Sequence, residues 1–75
     1  MKKTFDQIVS EIFSLPEAEI GDNLTSQDIS GWDSMNYIML IAELEKNFDI
    51  SFSMDEVMSI QTIGDIRSIV EKKQI

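Results

Sequence analysis

Phe5, Ile8, Val9, Ile12 and Phe13 fall at i, i+3, i+4, i+7 and i+8, a single apolar face at the helical repeat. Comparable spacing returns twice further along the chain, whereas apolar–polar alternation is confined to the ISFS stretch at 50–53, too short for an independent strand. A chain of 75 residues patterned this way has one small core to build, and it must build it from helices. So short a chain buries too little surface to hold a deep catalytic cleft beside a sound core. Only Pro16, Gly21, Gly31 and Gly64 punctuate it.

The helix boundaries follow from local chemistry. Thr4 with Gln7 forms a capping box, Asp6 suits the N-terminal end of the dipole, and Pro16 disfavours helical geometry at Leu15, so the first helix is predicted over 5–14. From Leu15 to Asp33 the periodicity breaks into a long loop in which Ile20, Leu24, Ile29 and Trp32 are expected to tie down onto the helices. The second helix, predicted over 34–48, is the most apolar. Ile38, Ile41, Ala42, Leu44 and Phe48 are expected to face the core, and Met35, Met39, Glu43 and Lys46 to form a second stripe facing something else. Ser53 with Glu56 opens a short, mobile third helix over 54–59, with Val57 and Met58 available to pack inward. Thr62 caps a last helix over 63–73, with Ile63, Ile66, Ile69 and Val70 inside and Lys72 and Lys73 at its C-terminal turn. Gly64 weakens that helix by up to about 1 kcal/mol relative to alanine. The expected fold is all-α: one domain over 1–75, a small four-helix bundle of three main helices and a short third, with a long loop between the first two.

Composition narrows the function. Fourteen acidic against six basic side chains leave a net charge of −8, which repels nucleic acid and anionic membrane and favours basic patches on other proteins. Apolar runs are too short to cross a bilayer, no N-terminal segment reads as a signal peptide, and the expected state is a cytoplasmic monomer without membrane insertion. Cysteine and histidine are both absent, which excludes a disulfide framework, a Cys/His zinc site, a thiol nucleophile and a Ser–His pair. Asp22 does not begin an EF-hand, because its sixth position is Gln27 where that loop needs Gly. The adjacent carboxylates Asp55 and Glu56 point apart and read as a helix N-terminal charge cluster. No catalytic residue is expected.

The remaining candidate is Ser34, at the front of the apolar helix in GWDSMNYIMLIA. It is open to two readings: a cap whose oxygen accepts a backbone N–H, or a residue that the helix presents for modification. Asp33 is likewise either a cap or a group that orients the hydroxyl or a metal during transfer. Serine is a weak nucleophile without a base, so any covalent chemistry here needs an external enzyme, and a helix N-terminus is a favourable seat for a phosphate.

Gly31, Trp32, Asp33, Ser34 and Met35 resemble the signature of the acyl and peptidyl carrier proteins, an Asp-Ser-Leu or Asp-Ser-Met triplet opening the second helix. LIAELEKNFDISFSMDEV and TIGDIRSIVEKK resemble the family's later helices, so the likeness spans nearly the whole chain. The resemblance implies that Ser34 carries 4′-phosphopantetheine, transferred from coenzyme A by a phosphopantetheinyl transferase, and that the prosthetic thiol holds acyl or aminoacyl groups as thioesters. It further implies a loading ligase and synthase or acyltransferase enzymes as partners. The expected docking residues are Met35, Asn36, Met39, Glu43, Lys46, Asp55 and Glu56. Asn36, Met39 and Lys46 stand where fatty-acid carriers are often acidic, and Trp32 replaces a small residue. The likeness is therefore closer to specialised carriers of peptide or polyketide synthesis, D-alanylation or surface-saccharide acylation, with docking more apolar than ionic. The other class is an unmodified acidic adaptor that binds one partner through the Met35/Met39 face.

Overall fold

The computed structural model describes residues 3–74. Four helices form, α1 Phe5–Phe13, α2 Ser34–Phe48, α3 Met54–Ser59 and α4 Ile63–Lys73, with one 3₁₀ turn at Glu17–Glu19 in the long loop. The architecture is the expected small helical bundle.

Reciprocal capping boxes open three of the helices. Thr4, Ser53 and Thr62 each accept from the backbone N–H three residues on, and Gln7, Glu56 and Asp65 each accept in return from the cap residue's N–H. Helix α1 stops at Phe13, one residue before the expected end, because Ser14 turns left-handed at φ 54° and its N–H bonds back to the Ser10 carbonyl. Asp49 ends α2 the same way, at φ 56°.

The loop at 14–33 is tied to α4 as well as to the core. A helix leaves its first N–H groups without intrahelical partners, and here the loop supplies them: Ile63 N–H donates to the Leu24 carbonyl at 3.0 Å and Gly64 N–H to the Asp22 carbonyl at 2.9 Å. That approach explains Gly64, since a Cβ there would lie 3.0 Å from both the Asp22 Cβ and carbonyl oxygen. Arg67 adds ion pairs to Asp6 of α1 and Asp22 of the loop, both at 2.9 Å, and lies over the Phe5 ring. Of the expected apolar ties, Ile29 is buried, and Ile20, Leu24 and Trp32 pack half-buried against the core.

That core is formed by Phe5, Ile8, Val9 and Phe13 of α1, Leu40 and Leu44 of α2, and Ile63, Ile66 and Val70 of α4, with Ile29 closing one end. Two expectations are corrected. Ile38 and Ala42 do not face the core: Ile38 is 68% exposed and Ala42 is exposed, while Leu40, Ile41 and Leu44 turn inward. Apolar residues surround most of α2, and Ile38 lies about 200° around the helix from Leu40, so periodicity alone does not choose between the faces. Met58 does not pack inward either, being 77% exposed, and α3 contributes no buried residue.

Candidate functional site

Phe13, Trp32 and Tyr37 form a continuous stack, with ring centroids 5.3 and 5.9 Å apart. The stack fixes the loop where it turns into α2. Beside it, Gly31 passes so close to α1 that a Cβ would sit 2.5 Å from the Phe13 carbonyl oxygen; the position admits no side chain without a backbone shift. The Gly31 carbonyl then accepts from the Asp33 N–H at 3.1 Å and from Asn36 Nδ2 at 2.8 Å. A glycine pressed on α1, a ring stack and a doubly bonded carbonyl therefore set the position at which α2 begins.

Asp33, in extended geometry, is the N-cap, and its Oδ1 accepts from Asn36 N–H at 2.8 Å. This corrects the capping alternative for Ser34. Ser34 is the first residue inside the helix, exposed, with its hydroxyl not used for the cap. Its own N–H and that of Met35 lie in the first turn, where the helix offers no carbonyl to accept them. An oxygen carrying phosphate at Ser34 would thus meet unpaired N–H groups and the positive end of a helix of 15 residues. No histidine exists to take the serine proton, and Oδ1 of the neighbouring Asp33 carboxylate accepts from Asn36. Among the described residues, no group of three or more His, Cys, Asp or Glu side chains is placed to hold a metal ion.

Helices α2 and α3 expose large apolar side chains. Met35, Ile38 and Met39 on α2 and Met54 and Met58 on α3 are all exposed, so the two methionines expected outward are joined by three apolar residues that periodicity did not place there. Lys46 and Asp55 are exposed and Glu43 half-buried. Asn36 and Glu56 spend their polar atoms internally: Asn36 on Gly31, and Glu56 on the Ser53 N–H and on Lys73, 3.0 Å away. Those two contacts, the Ser53 N–H first, hold the Glu56 carboxyl below its usual value of 4.5.

Between α2 and α3 lies an open cavity of about 440 Å³, lined chiefly by Tyr37, Ile38, Ile41, Phe52, Met54 and Val57. Two hydrogen bonds join residues of its lining: Tyr37 donates its hydroxyl to the Val57 carbonyl at 2.7 Å, and the Phe52 N–H donates to Glu45 Oε2 at 2.8 Å. Burial pushes the Tyr37 phenol up to about 12. Sequence reasoning missed Tyr37, Ile38 and this cavity; the one available signal was a tyrosine hydroxyl within an apolar helix, which needs a partner when buried.

A family model described as the phosphopantetheine attachment site matches residues 3–69. Over 66 residues the chain is 30% identical to the acyl carrier protein of Thermotoga maritima, covering 88% of this chain and 82% of the relative. It is 32% identical to acyl carrier protein 3, chloroplastic, of Cuphea lanceolata, of which it spans only 46%. A solution structure of holo acyl carrier protein from Geobacter metallireducens superposes with a TM-score of 0.83 at 28% identity, over 92% of this chain and 79% of that one. With an exposed serine opening α2 where a phosphate is well received, and a match that runs through three of the helices into the fourth, the chain belongs to the phosphopantetheine-binding acyl carrier protein family, non-catalytic carriers that a transferase modifies with covalent 4′-phosphopantetheine.

Proposed function

We propose that Ser34 is the attachment point of the prosthetic group in a single carrier domain spanning 1–75. The observation that carries this reading is the division of labour at the helix start: Asp33 makes the cap, and Ser34 stands exposed beside unpaired N–H groups. During transfer a base belonging to the phosphopantetheinyl transferase takes the Ser34 Oγ proton, since this chain has no histidine to do so. When bound, the prosthetic thiol holds acyl or aminoacyl cargo as a thioester. The N–H groups of Ser34 and Met35 in the first turn of α2 would receive the phosphodiester, and the largely apolar α2–α3 cavity would offer shelter to an aliphatic cargo.

Partner choice follows from the surface around that serine. Met35, Ile38, Met39, Met54 and Met58 present flexible apolar contact, with Lys46 exposed further along α2 and the acids Asp55 and Glu56 at the start of α3. This favours a specialised pathway over fatty-acid synthesis, with a loading ligase and a synthase or acyltransferase docking chiefly through apolar contact, and a monomeric carrier in the cytoplasm. Incubation with coenzyme A and a broad-specificity phosphopantetheinyl transferase, followed by intact-mass measurement, tests the site. The wild type is expected to gain the mass of one prosthetic arm and Ser34→Ala none. A wild type that gains nothing leaves the unmodified adaptor, binding through Met35 and Met39, as the better reading.

A further inference from the structure

Asn36, the third residue of α2, departs from its counterparts in the other helices. In α1, α3 and α4 the third residue is Gln7, Glu56 or Asp65, and each side chain accepts from the N–H of its own cap residue. In α2 the third side chain donates instead: Asn36 Nδ2 reaches past the cap to the Gly31 carbonyl at 2.8 Å. The N–H of the cap residue, Asp33, goes to the same carbonyl at 3.1 Å, and the Asn36 N–H closes on Asp33 Oδ1 at 2.8 Å.

These bonds bracket Ser34. The one between Asn36 and Gly31 spans the residues between them, Ser34 included, and its loop end lies against α1 at the Phe13 carbonyl. A carbonyl only accepts, so residue 36 must carry a donor; an ionised aspartate has none, and alanine has no polar side-chain atom at all. Asn36 is also half-buried, whereas Ser34 and Met35 beside it are exposed. A side chain that served only as a partner contact would need neither the donor nor the burial.

We infer that Asn36 is a positioning residue for the modification of Ser34: its amide fixes the first turn of α2 on Gly31, so that the Ser34 hydroxyl meets the transferase in one orientation. The step forms an O–P bond at Ser34 Oγ and breaks the diphosphate of coenzyme A, the adenosine bisphosphate half leaving and the serine proton passing to the transferase. A nucleophile whose geometry is set before encounter reacts faster than one that must be ordered first. Asn36 touches neither the coenzyme nor the reacting oxygen in this role; it acts through the backbone on either side of Ser34. The inference rests on the proposed reading of Ser34 as the attachment point, and it takes Asn36 out of the docking set in which the family resemblance put it.

The test follows single-turnover transfer from coenzyme A to the full-length protein by intact mass, over a range of excess phosphopantetheinyl transferase, for the wild type, Asn36→Ala and Asn36→Asp. The melting temperature of each is recorded beside it. Positioning predicts a saturating rate that falls about tenfold or more in both variants, with the half-saturating transferase concentration of Asn36→Ala unchanged. Asn36→Asp can rebuild the box seen at Thr62 and Asp65, accepting from the Asp33 N–H, so its melting temperature is expected to hold while its rate falls. That combination separates positioning from a loss of fold. A saturating rate equal to the wild type's in Asn36→Ala overturns the inference, and so does a change confined to half-saturation, which makes Asn36 a docking residue. Should Asn36→Ala melt below the assay temperature, the saturating rate of Asn36→Asp decides. A wild type that gains no mass refutes the Ser34 reading instead, and the inference falls with it.

Discussion

Asp33 and Ser34 are adjacent, yet one holds the helix and the other is presented by it. Truncating each to alanine separates the roles. Asp33→Ala removes a cap bond to Asn36 and is expected to cost about 1 kcal/mol in urea unfolding. Ser34→Ala, at an exposed position outside the cap, is expected to stay within about 0.5 kcal/mol of the wild type while losing all modification. The reverse order of costs would return the cap to Ser34. Gly31 belongs to the same scale. Its place in the signature has a steric reason, the Phe13 carbonyl against which nothing larger fits, and no reading of local conformation finds it because that carbonyl lies on another helix.

At the scale of elements, α2 and α3 carry the exposed large apolar side chains with different means of support. Helix α2 is anchored by Leu40, Ile41 and Leu44, which frees its opposite side for Ile38 and Met39. Leu40→Ala should therefore cost about 2–5 kcal/mol, while Met39→Glu should change stability by less than about 0.5 kcal/mol and raise the KM for the transferase several-fold. A Met39→Glu protein that unfolds would place Met39 in the core. Helix α3 has no buried residue and depends on polar ties: its capping box, the Glu56–Lys73 pair and the Tyr37–Val57 bond. Because the Glu56 carboxyl is held below its usual 4.5, its contribution is complete above that value and is lost as pH falls through the lower, folded-state value. Glu56→Gln keeps an acceptor for the Ser53 N–H without the charge. The melting-temperature gap between wild type and Glu56→Gln should be open at neutral pH and close as pH drops below 4.5; a constant gap would mean the charge contributes nothing.

Across the whole molecule, α1, the long loop and α4 meet at Arg67, which pairs with Asp6 and Asp22 and lies over Phe5. Its partners are partly exposed, so solvent screens both pairs and their joint worth is about 1 kcal/mol. Arg67→Met should lose roughly that amount at low salt and less at 1 M salt, where the Debye length shrinks to about 3 Å. The wild type itself, at net charge −8, should gain stability as salt screens its self-repulsion. The difference between the two proteins, followed by thermal unfolding across a salt series, isolates the Arg67 contribution from that general effect.

What the sequence by itself determined is what lies within about a turn of chain: the capping boxes at Thr4 and Ser53, the cap at Thr62, the start and end of each helix to within one residue, and a serine at the start of α2 in a chain without histidine. These depend on groups three or four positions apart, which meet in any fold that contains the helix. The tertiary structure decided which side of α2 is core, that Gly64 admits the Asp22 carbonyl as Gly31 admits that of Phe13, and that Tyr37 reaches the Val57 carbonyl of α3. Each of these depends on what packs against a residue from far along the chain. On a helix apolar around most of its circumference, only that neighbour chooses the face.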